Sequence, residues 1–272
     1  MSIGRDDLPP RKRHIELPEN RSLAFIDTGG SGRTILMLHG FSDTSRSFLA
    51  LEPYFSGYRL IIPDLPGHGA SAPGNGMHVS DFAASIDMLI EYLGLSRIAL
   101  IGHSMGAMTA IELAARRRDD IGALVLLSAS LTPCFDREGP LSRGIHALTD
   151  PINPAGQFLG DWYSCSRPVD ADFLSKMKAD AAAMPSAIWR DILKGFDETD
   201  LRHSAARVTA PVVCIGGSLD PLFDGSHREA LSQAFRSVRS ITLQGYGHNP
   251  HWEDPERISA LILSFLADAG VV

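Results

Sequence analysis

The stretch Ile98-Ala99-Leu100-Ile101-Gly102-His103-Ser104-Met105-Gly106-Ala107 decides the fold of this chain. Its first four residues form an unbroken apolar run, the mark of a strand buried on both faces of a sheet. Gly102 to Gly106 spell Gly-x-Ser-x-Gly, and Ala107–Arg116 continue in helix-forming residues. A chain that turns sharply from strand to helix strains the residue at the bend. Side chains on either flank would collide with that bend, which accounts for glycine at 102 and 106. The Ser104 hydroxyl is then presented at the carboxyl end of a sheet. It also stands at a helix start, where free N–H groups favour developing negative charge. Strand before and helix after is the context in which this motif signals a nucleophile rather than a chance turn.

Outward from there, short runs rich in Val, Ile and Leu recur at Ile35–Leu38, Leu60–Ile62, Ala123–Leu127, Val212–Ile215 and Ile241–Leu243. His14–Leu17 and Leu23–Ile26 read as a hairpin around Pro18–Arg21. Between the runs lie helical patterns. Phe82, Ile86, Leu89, Ile90 and Leu93 share one face, as do Ile258, Leu261, Ile262, Phe265 and Leu266, with Pro250 expected to open that last helix. Strands alternating with helices predict an α/β protein: a mostly parallel central sheet of about eight strands flanked by helices. One interval breaks the rhythm. About 80 residues separate the run ending near Ser128 from the one beginning near Pro211, far more than a connection needs. We read residues 133–207 as a helical cap inserted after the sixth strand, and residues 1–132 with 208–272 as the core domain.

Composition excludes several classes. The 272 residues suit one large domain, or one domain with an insertion. Apolar residues at 44% and charged residues at 21% argue against a disordered chain. A net charge of −7 argues against a nonspecific nucleic-acid binder. Cys134, Cys165 and Cys214 cannot all pair and show no CxxC spacing, so a reducing compartment is expected. Met1 to His14 lacks an apolar core for a secretory signal, and no run reaches the ~18 apolar residues of a membrane span. A cytoplasmic protein with no membrane partner follows. No HExxH, no clustered Cys/His and no phosphate-binding glycine loop is present, so neither metal nor cofactor is expected.

A serine hydroxyl is a weak nucleophile until a base takes its proton. Among ten histidines, His248 in Gly245-Tyr246-Gly247-His248-Asn249 follows a core run, where sheets of this type place working residues. His39, His68, His103 and His251 are competitors; His39 and His103 lie in tight motifs where backbone shape is the point, His68 reads as part of a turn, and His251, near the start of the last helix, is a candidate for the pocket rim. The base needs a carboxylate to orient it. Asp220, in Gly216-Gly217-Ser218-Leu219-Asp220-Pro221, is preferred to Asp224 because it lies nearer the strand end and Pro221 stiffens the turn. The N–H groups of Phe41, after His39-Gly40, and of Met105 are the candidate oxyanion donors, with Gly40 bending the backbone. Phe158, Trp162, Met177, Met184 and Trp189 suggest an apolar roof, so Trp162, Met177, Met184, Trp189, His39 and Gly40 are expected at the substrate. Arg46 reads as solvated.

These residues together resemble the α/β-hydrolase fold family, of its serine esterase and lactonase type. Leu38 to Phe41 resembles the oxyanion segment, and Asp64-Leu65-Pro66-Gly67-His68-Gly69-Ala70-Ser71 a structural turn. Gly102 to Gly106 is similar to the nucleophile elbow, Gly217 to Asp220 to the acid loop, and Gly247-His248 with Trp252 to Pro255 to the histidine loop and last helix. The resemblance spans nearly the whole chain and implies a Ser104, His248, Asp220 triad. It also implies hydrolysis of carboxylic esters or lactones with small to medium apolar acyl groups through an acyl-enzyme. Dehalogenases and epoxide hydrolases of the family use aspartate as nucleophile, which Ser104 argues against. Its carbon–carbon hydrolases commonly carry Asn where His103 stands. Carbon–carbon hydrolysis, thioester hydrolysis and cofactor-free perhydrolase or haloperoxidase chemistry remain alternatives, as does a ligand-binding signalling protein with little turnover. A small-molecule substrate and a monomer or homodimer are expected.

Overall fold

The computed structural model describes residues 12–271, so the expectation that Met1 to His14 carries no secretory signal falls mostly on residues outside the described ones. The chain opens with an antiparallel hairpin of β1 (Arg13–Leu17) and β2 (Arg21–Asp27). It continues through β3 (Thr34–Leu38), β4 (Arg59–Pro63), α1 (Val79–Leu93), β5 (Ile98–His103), α2 (Met105–Arg116) and β6 (Ile121–Leu127). Five helices then precede the next strand: α3 (Pro140–His146), α4 (Gln157–Trp162), α5 (Ala171–Ala183), α6 (Ser186–Asp197) and α7 (Arg202–Arg207). The chain closes with β7 (Val212–Gly217), α8 (Gly225–Ala234), β8 (Val238–Leu243), α9 (Pro250–Glu253) and α10 (Pro255–Asp268).

The eight strands found among the described residues join one sheet in the order β1-β2-β4-β3-β5-β6-β7-β8. β2 runs antiparallel to both β1 and β4; from β4 to β8 every neighbour is parallel. The apolar runs are continuous because the inner strands are covered on both faces. In β3, Leu36 and Leu38 face the layer of α1 and α2, while Ile35 and Met37 face the layer of α10. On α1, Phe82, Ile86, Leu89 and Ile90 are buried at the expected helical spacing, each stabilising the fold by about 1.5–3 kcal/mol. β8 is an edge strand, so of its expected core residues only Leu243 is buried.

The C-terminal helix departs from expectation. Pro250 opens the four-residue α9, and Pro255 opens α10. The break is local: the Asp254 carboxylate accepts a hydrogen bond from the Arg257 N–H and caps α10, so a new helix starts there. Among the described residues no helix is long and apolar enough to cross a membrane.

Candidate active site

Strand order brings the candidate residues together. β3 lies between β4 and β5, where the order of connections reverses, and Leu38 pairs with Gly102 at the carboxyl ends. The loops carrying Phe41 and Ser104 are therefore neighbours. Gly217 pairs with Leu243 at the end of β7 and β8, which likewise makes the Asp220 and His248 loops neighbours.

Ser104 sits at φ 50° and ψ −115°, a strained conformation for a residue with a side chain. Neither flanking glycine is at positive φ; they are required by close approach. A Cβ on Gly106 would lie 2.0 Å from the Leu38 carbonyl oxygen, and one on Gly102 would lie 2.4 Å from that of Gly106. Gly40 corrects the reading of its own role. Its φ is ordinary, and positive φ falls instead at Ser42 (67°). What Gly40 provides is space, since a Cβ there would lie 2.7 Å from His103 Nδ1.

His248 Nδ1 lies 2.9 Å from both Asp220 oxygens. A carboxylate only accepts, so Nδ1 carries the hydrogen and Nε2 is left with a lone pair. Burial by itself would raise the Asp220 carboxyl. The adjoining His248 and the N–H groups of Phe223 and Leu222 outweigh this and hold it below the usual carboxylate range. Asp224 serves a separate purpose, capping α8 by accepting from the N–H groups of Ser226 and His227. Gly217 lets the 245–248 loop close over β7, because a Cβ would meet the Tyr246 and Gly247 carbonyls at 2.2 Å.

Ser104, His248 and Phe41 line one cavity of about 250 Å³. Met105 begins α2, where its N–H precedes the first intrahelical bond. Neither its N–H nor that of Phe41 is taken by a hydrogen bond among the described residues. Two of the competing histidines, His39 and His68, are structural, while His103 lines the cavity beside Ser104. His39 Nε2 accepts from the Leu65 N–H at 2.8 Å, and its Nδ1–H donates to the Gly40 carbonyl. His68 does the same between the Ser42 N–H and the Pro66 carbonyl, and its burial pushes its pKa down to about 3. Both are neutral structural rings outside the cavity wall, and Gly40 lies outside it too, which corrects the expectation that His39 and Gly40 meet substrate.

The roof needs a similar correction. Trp162 and Phe158 line the cavity, with Phe135, Leu141 and Phe196 from the same inserted stretch. Met177, Met184 and Trp189 do not: they are buried in the packing behind the wall, with the Trp189 ring tilted against Phe41 at a centroid distance of 4.9 Å. The apolar pattern of a helix cannot tell a wall from the core supporting it. Arg46, half-buried, is paired as well: its Nε donates to Asp180 of α5 at 2.8 Å.

Three roles escaped the sequence reading, those of Glu253, Tyr163 and Asp43, as did the polar contact of Trp162. Glu253 is buried, accepting from the N–H of Gly247 at 2.9 Å and of Ser166 at 3.0 Å, and so ties the His248 loop to the inserted segment. Trp162 Nε1 donates to Ser42 Oγ at 2.8 Å, and Tyr163 to the Ser42 carbonyl, tying that segment to the Phe41 loop. Asp43 lines the cavity with its side chain only 3% exposed. Only the odd placement of an acid four residues after His39 could have flagged it.

A family model for the alpha/beta hydrolase fold matches residues 33–180. The chain belongs to the α/β-hydrolase family. It is 40% identical over 262 residues to the "Magnesium-chelatase 30 kDa subunit" of Rhodobacter capsulatus, covering 89% of each chain. It is 28% identical over 263 residues to a pimeloyl-[acyl-carrier protein] methyl ester esterase of Shewanella sp. (strain MR-7), covering 92% of this chain and 97% of the relative. Its fold is that of an esterase from Exiguobacterium antarcticum, with a TM-score of 0.84 at 20% identity over 93% of this chain and 98% of that one.

Proposed function

We propose that this chain is a serine hydrolase that cleaves carboxylic esters or lactones of small to medium, mainly apolar substrates through an acyl-enzyme. The observation that carries the reading is a strained Ser104 at a helix start, sharing one cavity with a His248 already oriented by Asp220. In the proposed reaction His248 Nε2 takes the Ser104 proton as the oxygen attacks the carbonyl carbon. The oxyanion rests on the N–H groups of Phe41 and Met105, which stabilise it by a few kcal/mol each. His248 then protonates the departing alkoxide, and afterwards activates a water that releases the acid. On this reading residues 133–207 are the cap, and they set substrate size through Trp162, Phe158 and Phe196. The relative named as a methyl ester esterase supports ester chemistry.

A fluorophosphonate probe tests it. Labelling of the native chain but not of Ser104→Ala, with turnover of p-nitrophenyl esters or lactones, is expected. Faster cleavage of a vinylogous diketone than of any ester would reassign the chain to carbon–carbon hydrolysis. A second reading has one observation behind it: the 40% identical relative is named as a subunit of a chelatase, which suits a ligand-binding partner protein with little turnover. No labelling and no turnover in folded protein would favour that role.

A further inference from the structure

Four buried carboxylates stand at the carboxyl end of the sheet among the described residues, and three are well supplied with donors, Glu253 by the N–H groups of Gly247 and Ser166. Asp64 accepts from the N–H groups of Ser45 and Ala70 at 2.8 Å and from Lys12 Nζ at 2.6 Å. Asp220 accepts from the N–H groups of Leu222 and Phe223 and from His248, all within 3.0 Å. Asp43 has no such set. Its nearest donors are Ser47 Oγ at 3.2 Å and the Tyr163 hydroxyl at 3.4 Å. The Tyr163 hydrogen has a closer acceptor in the Ser42 carbonyl at 3.0 Å, and His251, whose Nδ1 has no partner among the described residues, donates from Nε2 to Ser47 Oγ at 3.1 Å, so the Ser47 hydrogen is the one left for Asp43.

The third neighbour gives Asp43 no help. His103 Nε2 lies 3.0 Å from the His248 carbonyl, which can only accept, so the ring hydrogen belongs on Nε2. Nδ1, buried and without a partner among the described residues, turns a lone pair toward Asp43 Oδ2 at 3.7 Å. Burial favours this uncharged ring. Asp43 is thus a carboxylate short of donors in the wall of the cavity, two residues from the Phe41 amide and beside the residue that precedes Ser104.

We propose that Asp43 is a specificity-determining acceptor, which selects esters carrying a hydroxyl or amide N–H close to the reacting carbonyl and rejects those carrying a carboxylate there. This rests on the hydrolase reading of the same cavity. A substrate that fills the cavity displaces the water that would otherwise solvate Asp43. One with a donor replaces the lost hydrogen bond; one without leaves a buried charge with only the Ser47 hydroxyl as donor, and an anion adds repulsion.

Two matched series test this with the full chain. The acyl series is p-nitrophenyl butyrate, p-nitrophenyl 3-hydroxybutyrate and mono-p-nitrophenyl succinate. The alcohol series is propyl butyrate and 2-hydroxyethyl butyrate. In the native protein at least one hydroxylated ester should exceed its parent about tenfold in kcat/KM, and the succinate should fall about a hundredfold below the butyrate. Asp43→Leu should abolish the hydroxyl preference, and Asp43→Asn should relieve the discrimination against succinate at least tenfold. Fluorophosphonate labelling and thermal melting of each variant show that it is folded, and if Asp43→Leu is not, the succinate arm of Asp43→Asn decides. Ratios within threefold of native in the variants, or no native preference in either series, would overturn the proposal while leaving ester hydrolysis standing. Absence of turnover with every ester would remove the hydrolase reading, and this inference with it.

Discussion

The cavity has two sides built on different principles. One side is made by loops at the carboxyl ends of β3, β5, β7 and β8, and each polar group on it is set by a neighbouring strand: Ser104 by the elbow, Asp220 and His248 by paired strand ends. The other side is made by the segment between β6 and β7, and its residues are mainly apolar and held largely by packing, with Asp161 and Ser164 as polar members. The sheet side fixes direction, through hydrogen bonds and a strained backbone. The helical side fixes volume. Chemistry is therefore expected to follow substitutions on the first side, and substrate choice those on the second.

The sharpest way to break this division is at Ser104 and His248. Alanine at either should lower kcat on p-nitrophenyl esters by roughly 10⁴–10⁶ while leaving the melting temperature near native. Retained turnover would place the chemistry elsewhere. Asp220→Asn should cost about 10⁴, through the wrong tautomer of His248. Asp224→Asn should cost less than about threefold, because Asp224 only caps α8. Reversed losses would move the acid role to Asp224.

On the helical side, Trp162→Ala should change selectivity rather than chemistry. The ratio of kcat/KM for long over short acyl chains should rise about tenfold or more, as removing a wall of this size opens the pocket. An equal loss for every acyl length would instead show that its bond to Ser42 is what matters. Met177→Ala tests the packing behind that wall. Met177 is fully buried, so a loss of about 2–5 kcal/mol in stability is expected, with acyl selectivity unchanged.

Acid should reveal the sheet side in another way. Burial lowers the pKa of His39, His68, His103 and His251 below 6.5, that of His68 to about 3. In the unfolded chain these rings take up protons as pH falls through about 6.5, while the folded rings stay neutral to lower pH. Below that point the unfolded state binds more protons, so stability drops as pH falls, by up to about 1.4 kcal/mol per pH unit for each ring. Urea midpoints flat between pH 7 and pH 5 would contradict the burial of these rings.

The same division explains what could be read in advance. Val-, Ile- and Leu-rich runs mark the inner strands because burial on both faces leaves little room for polar residues, whereas the edge strands β1 and β8 carry exposed polar residues. Gly102 and Gly106 mark the elbow because backbone passes within 3 Å of where their side chains would be. Such contacts lie between fixed strands, and they leave a local signature. Trp189 and Trp162 carry no comparable mark. Both are apolar helix residues of the inserted segment, and which of them meets the cavity depends on how α4 and α6 pack together.

The sequence alone determined the strands, the bend at Ser104 and the candidate trio, because each is imposed by neighbours in the chain or by covered faces of the sheet. Only the tertiary structure decided that Trp162 rather than Trp189 meets the cavity, that Pro255 rather than Pro250 opens the last helix, and that Asp43 stands in the cavity wall short of donors. The physical reason is that a hydrogen-bond partner is chosen by distances of a few tenths of an ångström between loops far apart in the chain, and no local pattern of residue types encodes those distances.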